Sequence, residues 1–190
     1  MKRIFFISLF TLIAIQTFAK DSSKIWQAFE QAYQPAENHR GLISPHEGLD
    51  TSKIKSYVVV LKGGIPSERA PFYISWEDYD YRGVTIDGDE IKTRRGAIYT
   101  YLQKGDVLAV AGIDHLGKTL YLKLISPDIY VPENRSQEKR HSRVTVMLGY
   151  KLPKDVYKVD DSEKALALVN EWLKPFTNLD DAKAFAANIK

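Results

Sequence analysis

Cysteine is absent from this 190-residue chain. That absence removes disulfides, thiolate metal sites, a cysteine nucleophile and thiol-linked lipid together. The fold must therefore stand on hydrophobic burial. Catalytic signatures are missing as well. There is no Gly-x-Ser-x-Gly elbow, and Lys62-Gly63-Gly64 runs into Ile65-Pro66 where a phosphate-binding loop would open a helix. The histidines His39, His46, His115 and His141 show no metal-ligand spacing. The sequence thus assigns no catalytic residue, no metal and no cofactor. A site gathered from distant side chains is geometric and leaves no such signature.

Long apolar runs are scarce too, and the one present is informative. Lys2 and Arg3 precede Ile4–Ile15, which only Ser8 and Thr11 interrupt, and Thr17-Phe18-Ala19 closes the segment with small residues. A membrane-spanning helix needs roughly 20 apolar residues, so this run is too short. Charged start, short apolar middle and small-residue exit read as a secretory signal peptide over residues 1–19, removed after Ala19. What remains, residues 20–190, is expected to be one globular domain without an integral membrane segment. Cysteine-free export suggests a bacterial protein, periplasmic or secreted. Removing the signal takes two cations and no acid, so formal net charge falls from +3 to +1. A nearly neutral chain does not advertise nucleic acid as a partner.

The mature chain opens with capping residues at Asp21–Ser23, then Ile25, Trp26, Phe29 and Tyr33 at helical spacing, ended by Pro35. Residues 36–56 read as a loop. Tyr57–Leu61 is apolar on both faces, as in a buried strand. Further strands are predicted at Pro71–Trp76, at Gly83–Ile86 and Glu90–Thr93 around an Asp87-Gly88 turn, and at Ala97–Leu102. Lys104-Gly105-Asp106 leads into Val107–Ile113, which Asp114–Lys118 joins to Thr119–Ser126; Arg143–Tyr150 repeats the alternation. Two helices are expected to close the chain. One starts at Asp160 with Glu163 and carries Leu166, Val169, Trp172, Leu173 and Phe176 to Pro175; the other starts at Asn178 with Asp181. The order predicts an α+β fold: an antiparallel sheet or small β-barrel-like core over about 57–150, with one N-terminal helix and two C-terminal helices. Gly96–Ser126 resembles bacterial small-barrel domains, in which a Lys-Gly-Asp turn precedes a central hairpin. The resemblance rests on Lys104-Gly105-Asp106 and implies no function.

Asp78–Gly83 with Asp89 imitates a calcium loop, but Arg82 occupies a ligand position and the flanks read as strands, so an acidic turn is the better reading. Tyr79 and Tyr81 lie among charges, where aromatic rings can stack on sugars; Phe72 and Trp76 alternate inward as core. Basic clusters form at Arg94 and Arg95 beside Lys92, and at Arg140 and His141 within Pro127–Ser142, a long polar segment whose acids dilute the charge. The candidate binding residues are therefore Tyr79, Tyr81, Arg94, Arg95, Arg140 and His141. The expected role is a non-enzymatic binding or accessory protein of the bacterial envelope, with an envelope or extracellular ligand. The alternatives are a small hydrolase using dispersed acids such as Asp78, Asp80 or Asp87, and a carbohydrate- or peptidoglycan-binding module using Tyr79 and Tyr81.

Overall fold

The computed structural model describes residues 23–37, 42–44, 48–69, 83–93, 98–128 and 143–190. The signal segment, Pro71–Trp76 and most of Pro127–Ser142 lie outside them. In chain order the described elements are α1 (Lys24–Ala32), β1 (Ile43–Ser44), β2 (Gly48–Leu49), a 3-10 turn (Thr51–Lys53), β3 (Tyr57–Val60), β4 (Ile65–Arg69), β5 (Val84–Asp87), β6 (Glu90–Thr93), β7 (Thr100–Leu102), β8 (Val107–Leu116), β9 (Thr119–Ile125), β10 (Val144–Lys151), α2 (Lys154–Val159), α3 (Ser162–Asn170), β11 (Leu173–Phe176) and α4 (Leu179–Ile189). The α+β class is as expected. No described helix is long and apolar enough to cross a membrane.

The sheet runs β11-β3-β8-β9-β10-β4-β7, with β5 parallel to the later half of β10 and β6 outside β5. It is therefore mixed, not purely antiparallel. β3 continues into β4 through Leu61–Gly64, while β7 continues into β8 through Gln103–Asp106. Because β3 pairs with β8 and β4 pairs with β10, the ladder curls back towards its own start. The barrel-like curl needs a sharp corner where both strand pairs bend. Gly64 (φ +86°) and Gly105 (φ +88°) provide it in a backbone region that side chains disfavour. Gly105 N–H donates to Val60 O at 2.8 Å, and Gly64 N–H donates to Leu102 O at 2.8 Å. Lys104-Gly105-Asp106 thus turns a barrel corner. A bulge between Val110 and Gly112 adds further curvature.

Alternation sorts the strands onto two faces. Val58, Val60, Leu108, Val110, Leu122, Leu124, Val146 and Leu148 fill the inside of the curl beneath Ile25, Phe29 and Tyr33 of the first helical segment and Val169 of α3. Tyr57, Val59, Ala109, Ala111 and Ile125 face the other way, against Ala182 and Ala186 of α4. All four β3 residues are consequently buried, as the run of apolar residues predicts. The fully buried Tyr33 hydroxyl donates to Asn170 Oδ1 at 2.6 Å, and burial pushes its pKa strongly upward. That bond ties the first helix to α3 and satisfies a group that would otherwise cost about 1–3 kcal/mol.

Several expectations need correction. Ile65-Pro66 is part of a strand: Pro66 pairs only with Tyr101 of β7, while β4 meets β10 further on, so the missing N–H breaks no second ladder. Of the segment read at 97–102, the described residues are strand only over Thr100–Leu102. Both hairpins are tighter or shifted. β8 runs through Leu116 and turns on Gly117-Lys118, and β5 turns to β6 on Gly88-Asp89, with glycine at positive φ leading each pair. Residues 36–56 include the short β1–β2 ladder. Three helices follow residue 150, not two. α3 is capped by Asp161, whose side chain accepts from Lys164 N, and it ends at Asn170. Trp172, Leu173 and Phe176 do not continue it; Leu173–Phe176 is a strand on β3, with Pro175 tolerated because β11 lies at the sheet edge.

Asp160, predicted to start a helix, does something else. It adopts the left-handed conformation (φ 54°) after α2. Its carboxylate reaches back to α1, accepting from Ser23 Oγ at 2.7 Å, Lys24 N at 2.7 Å and Ile25 N at 3.1 Å. These donors hold its pKa below the ordinary 3.8. The charge at the helix N-terminus also complements the helix dipole.

Candidate ligand pocket

The candidate residues Tyr79, Tyr81, Arg94, Arg95, Arg140 and His141 all lie outside the described residues, as do Asp78, Asp80, His39 and His46. Asp87 is described, and its surroundings argue against acid–base work. Lys151 Nζ lies 2.6 Å away and Lys92 Nζ 2.9 Å away, and these hydrogen bonds hold the carboxyl near a pKa of about 2. A permanently ionised carboxylate joining β5, β6 and β10 stabilises the sheet end and does not donate protons near neutral pH. Lys62 plays a similar strapping role. It contacts Asp89 at 3.0 Å and Glu171 at 3.3 Å, and its ammonium sits 4.9 Å from the Trp172 ring centroid. Among the described residues no group of three or more His, Cys, Asp or Glu is arranged to hold a metal.

A sizeable concavity lies elsewhere. A cavity of about 480 Å³ opens between α4 and the barrel corner, bounded by the entry to β8 and the start of β10. Leu102, Val107, Leu108, Val144 and Ala186 give it apolar walls, while Asp106, Asp128, Lys183 and Lys190 are its charged residues. Each is placed by an identifiable local cause. Asp106 ends the corner turn, where its carboxylate accepts from Gln103 N at 2.7 Å. Burial raises the Asp106 pKa, and the Gln103 bond and Lys190 partly oppose that. Lys183 Nζ lies 2.9 Å from Asp128 Oδ2 across the cavity wall.

The wall carrying Asp128 is fixed by Arg143. Its guanidinium donates to the carbonyls of Ser126 (3.1 Å) and Pro127, while Ser126 Oγ accepts from Val144 N at 3.0 Å. Burial lowers the Arg143 pKa and the Asp128 charge opposes that shift. Lys190 lies against the corner so closely that a Cβ on Gly105 would sit 2.7 Å from its Cγ. Gly105 is required for its dihedral, and a side chain there would also displace Lys190.

The volume falls within the usual range for small-molecule sites of roughly 300–1,000 Å³. The apolar walls can take the body of an organic ligand, and the four charges can fix its polar ends. Among the described residues no histidine lines the cavity, and Ser126 Oγ is engaged with the backbone of β10.

Comparison of the chain with protein-family models, curated proteins and solved structures gives no match. The pocket residues were visible in the sequence only as a turn (Asp106), a loop charge (Asp128) and helix-surface lysines (Lys183, Lys190). The usable signal is the seven-residue spacing of Lys183 and Lys190, two helical turns, around Ala186.

Proposed function

We propose that the chain is an exported binding protein of the bacterial envelope, and that the cavity beside α4 holds a small organic ligand with an apolar body and charged ends. The cavity carries this reading: about 480 Å³, apolar walls, two carboxylates and two ammonium groups. Export rests on the signal-like segment at residues 1–19. The test uses residues 20–190, purified and incubated with the low-molecular-weight fraction of an envelope extract, then examined by native mass spectrometry and thermal melting. A bound small molecule that raises Tm, and that is lost in Ala187→Trp, supports the reading. No bound molecule, or retention in the filled variant, overturns it. Export is tested separately by fractionating cells that express the chain with and without residues 1–19.

A second reading is favoured by Asp106. It is a carboxyl of raised pKa sharing the cavity with Asp128, the pairing that general acid–base hydrolysis uses. Turnover on a hydrolase substrate panel that disappears in Asp106→Asn would favour it. Asparagine keeps an acceptor for Gln103 N, so the corner survives the substitution.

A further inference from the structure

Of the four charged residues that line the cavity beside α4, two already match each other. Lys183 Nζ and Asp128 Oδ2 are 2.9 Å apart. Asp106 and Lys190 are the other two. Among the described residues neither closes an ion pair, with the other or with a third group. Lys190 still acts on Asp106 through space, opposing the effect of burial on its carboxyl.

One glycine brings this acid and this base to the same place. Asp106 directly follows Gly105, and the Lys190 stem is laid over Gly105: a Cβ there would meet Lys190 Cγ at 2.7 Å and Cε at 3.2 Å. The ammonium is one bond beyond Cε, so it is carried over the same corner. Asp106 itself is pinned. Its N–H donates to Gln103 O at 3.1 Å, its carbonyl accepts from Val60 N at 2.9 Å, and its Oδ2 accepts from Gln103 N at 2.7 Å. Among the described residues Oδ1 accepts no hydrogen bond. A half-buried carboxylate with an unused acceptor gains from a cationic donor more than an exposed one does. The corner is preformed, so a ligand need not order Asp106 first.

The pairing of signs selects the ligand class. The lining carries two acids and two lysines, so a ligand of one sign would be repelled by one member of the unmatched pair as it was attracted by the other. A ligand carrying one charge of each sign is matched by both. Because the unmatched acid and base share a corner, those two charges must lie close together on the ligand. Its apolar body then leads away along Leu102, Leu108 and Val144. An α-amino acid has this form, with ammonium, carboxylate and side chain on a single carbon. A dipeptide has its charges at opposite ends and would reach only one of the two partners.

We infer that the cavity beside α4 is a site for a free α-amino acid with an apolar side chain, its ammonium held by Asp106 and its carboxylate by Lys190. The inference rests on the reading of this cavity as a ligand site and narrows the charged ends of that ligand to one end.

The test is titration calorimetry of residues 20–190 with L-phenylalanine and L-leucine. Phenethylamine lacks the carboxylate, 3-phenylpropionate lacks the ammonium, glycine lacks the body, and leucyl-leucine separates the charges. Phenylalanine or leucine should bind, and each of the four comparison compounds should bind at least about tenfold more weakly, the loss expected for one charge-assisted hydrogen bond. Asp106→Asn should weaken amino-acid binding by about tenfold, with unchanged circular dichroism showing that the corner is intact. Lys190→Met keeps the stem over Gly105 and should weaken it by a similar factor. Ala187→Trp should abolish it. Equal binding of any comparison compound, or indifference to both Asp106→Asn and Lys190→Met, would overturn the inference. So would failure of both amino acids to bind while an extracted small molecule is still lost in Ala187→Trp; the cavity would then remain a ligand site and only the amino-acid assignment would fall. Amino-acid binding that persists in Ala187→Trp would overturn both readings together.

Discussion

The two sides of the curled sheet are packed by opposite means. Inside the curl, large side chains such as Phe29, Tyr33, Leu108 and Leu124 fill the space between strands and the α1–α3 pair. On the outer side, Ala109 and Ala111 meet Ala182 and Ala186, so α4 lies close against the sheet with little side-chain volume between them. The inner layer spends its chain on volume. The outer layer is thin, and the candidate ligand cavity opens along its helix. A thin layer leaves few side chains to fill a gap where helix and strands diverge, and the cavity there reaches Leu102, Leu108 and Val144 of the inner core.

Substitutions can break this contrast. The largest effect is expected inside: Phe29→Ala should cost about 3–5 kcal/mol, read by urea denaturation, because it deletes a buried ring and leaves a cavity. On the outer side the sensitive direction reverses. Ala182→Leu should cost about 1–3 kcal/mol by forcing α4 off the sheet, measured the same way. If the outer layer tolerated leucine there without loss, the close-packed description would be wrong.

Next comes the clamp that holds the inner layer's first helix. Asp160→Ala should cost about 1–3 kcal/mol through the lost cap and the left-handed backbone, and Asp160→Asn less, since asparagine keeps an acceptor and tolerates that backbone. Its pH dependence has a definite sign. The folded carboxyl has a lowered pKa, so its contribution is complete above the ordinary 3.8 and drains away as pH falls through the lower folded value. Thermal melts of wild type and Asp160→Asn should therefore converge on acidification. The smallest effect is at the cavity edge. Ala187→Trp, on an exposed position, should change stability by no more than about 0.5 kcal/mol while removing ligand binding.

How much the sequence disclosed differs between the two layers in the same way. The inner hairpins are legible because Gly88 and Gly117 mark turns and branched aliphatic residues recur at every second position of β9 (Leu120, Leu122, Leu124) and β10 (Val144, Val146, Leu148). β11 is not, because Trp172, Leu173 and Phe176 fit a helical stripe as well as a strand, and only pairing with β3 decides. Asp160 and Asp161 are adjacent acids before one helix; the chain's return past α1 determines which caps which. The pocket was illegible for a related reason. Asp106, Asp128, Lys183 and Lys190 come from a turn, a strand exit and a terminal helix, and converge only through the barrel corner and the outer packing of α4.

The Asp160 clamp also sets an order of events. Ser23, Lys24 and Ile25 wait for a partner 135 or more positions later, and Tyr33 waits for Asn170. A chain made from its N-terminus forward has its first helix before anything exists to dock it. The bonds that Asp160 and Asn170 make to the opening segment therefore cannot form until the last quarter of the chain has been synthesised, and the molecule closes from its end back onto its beginning.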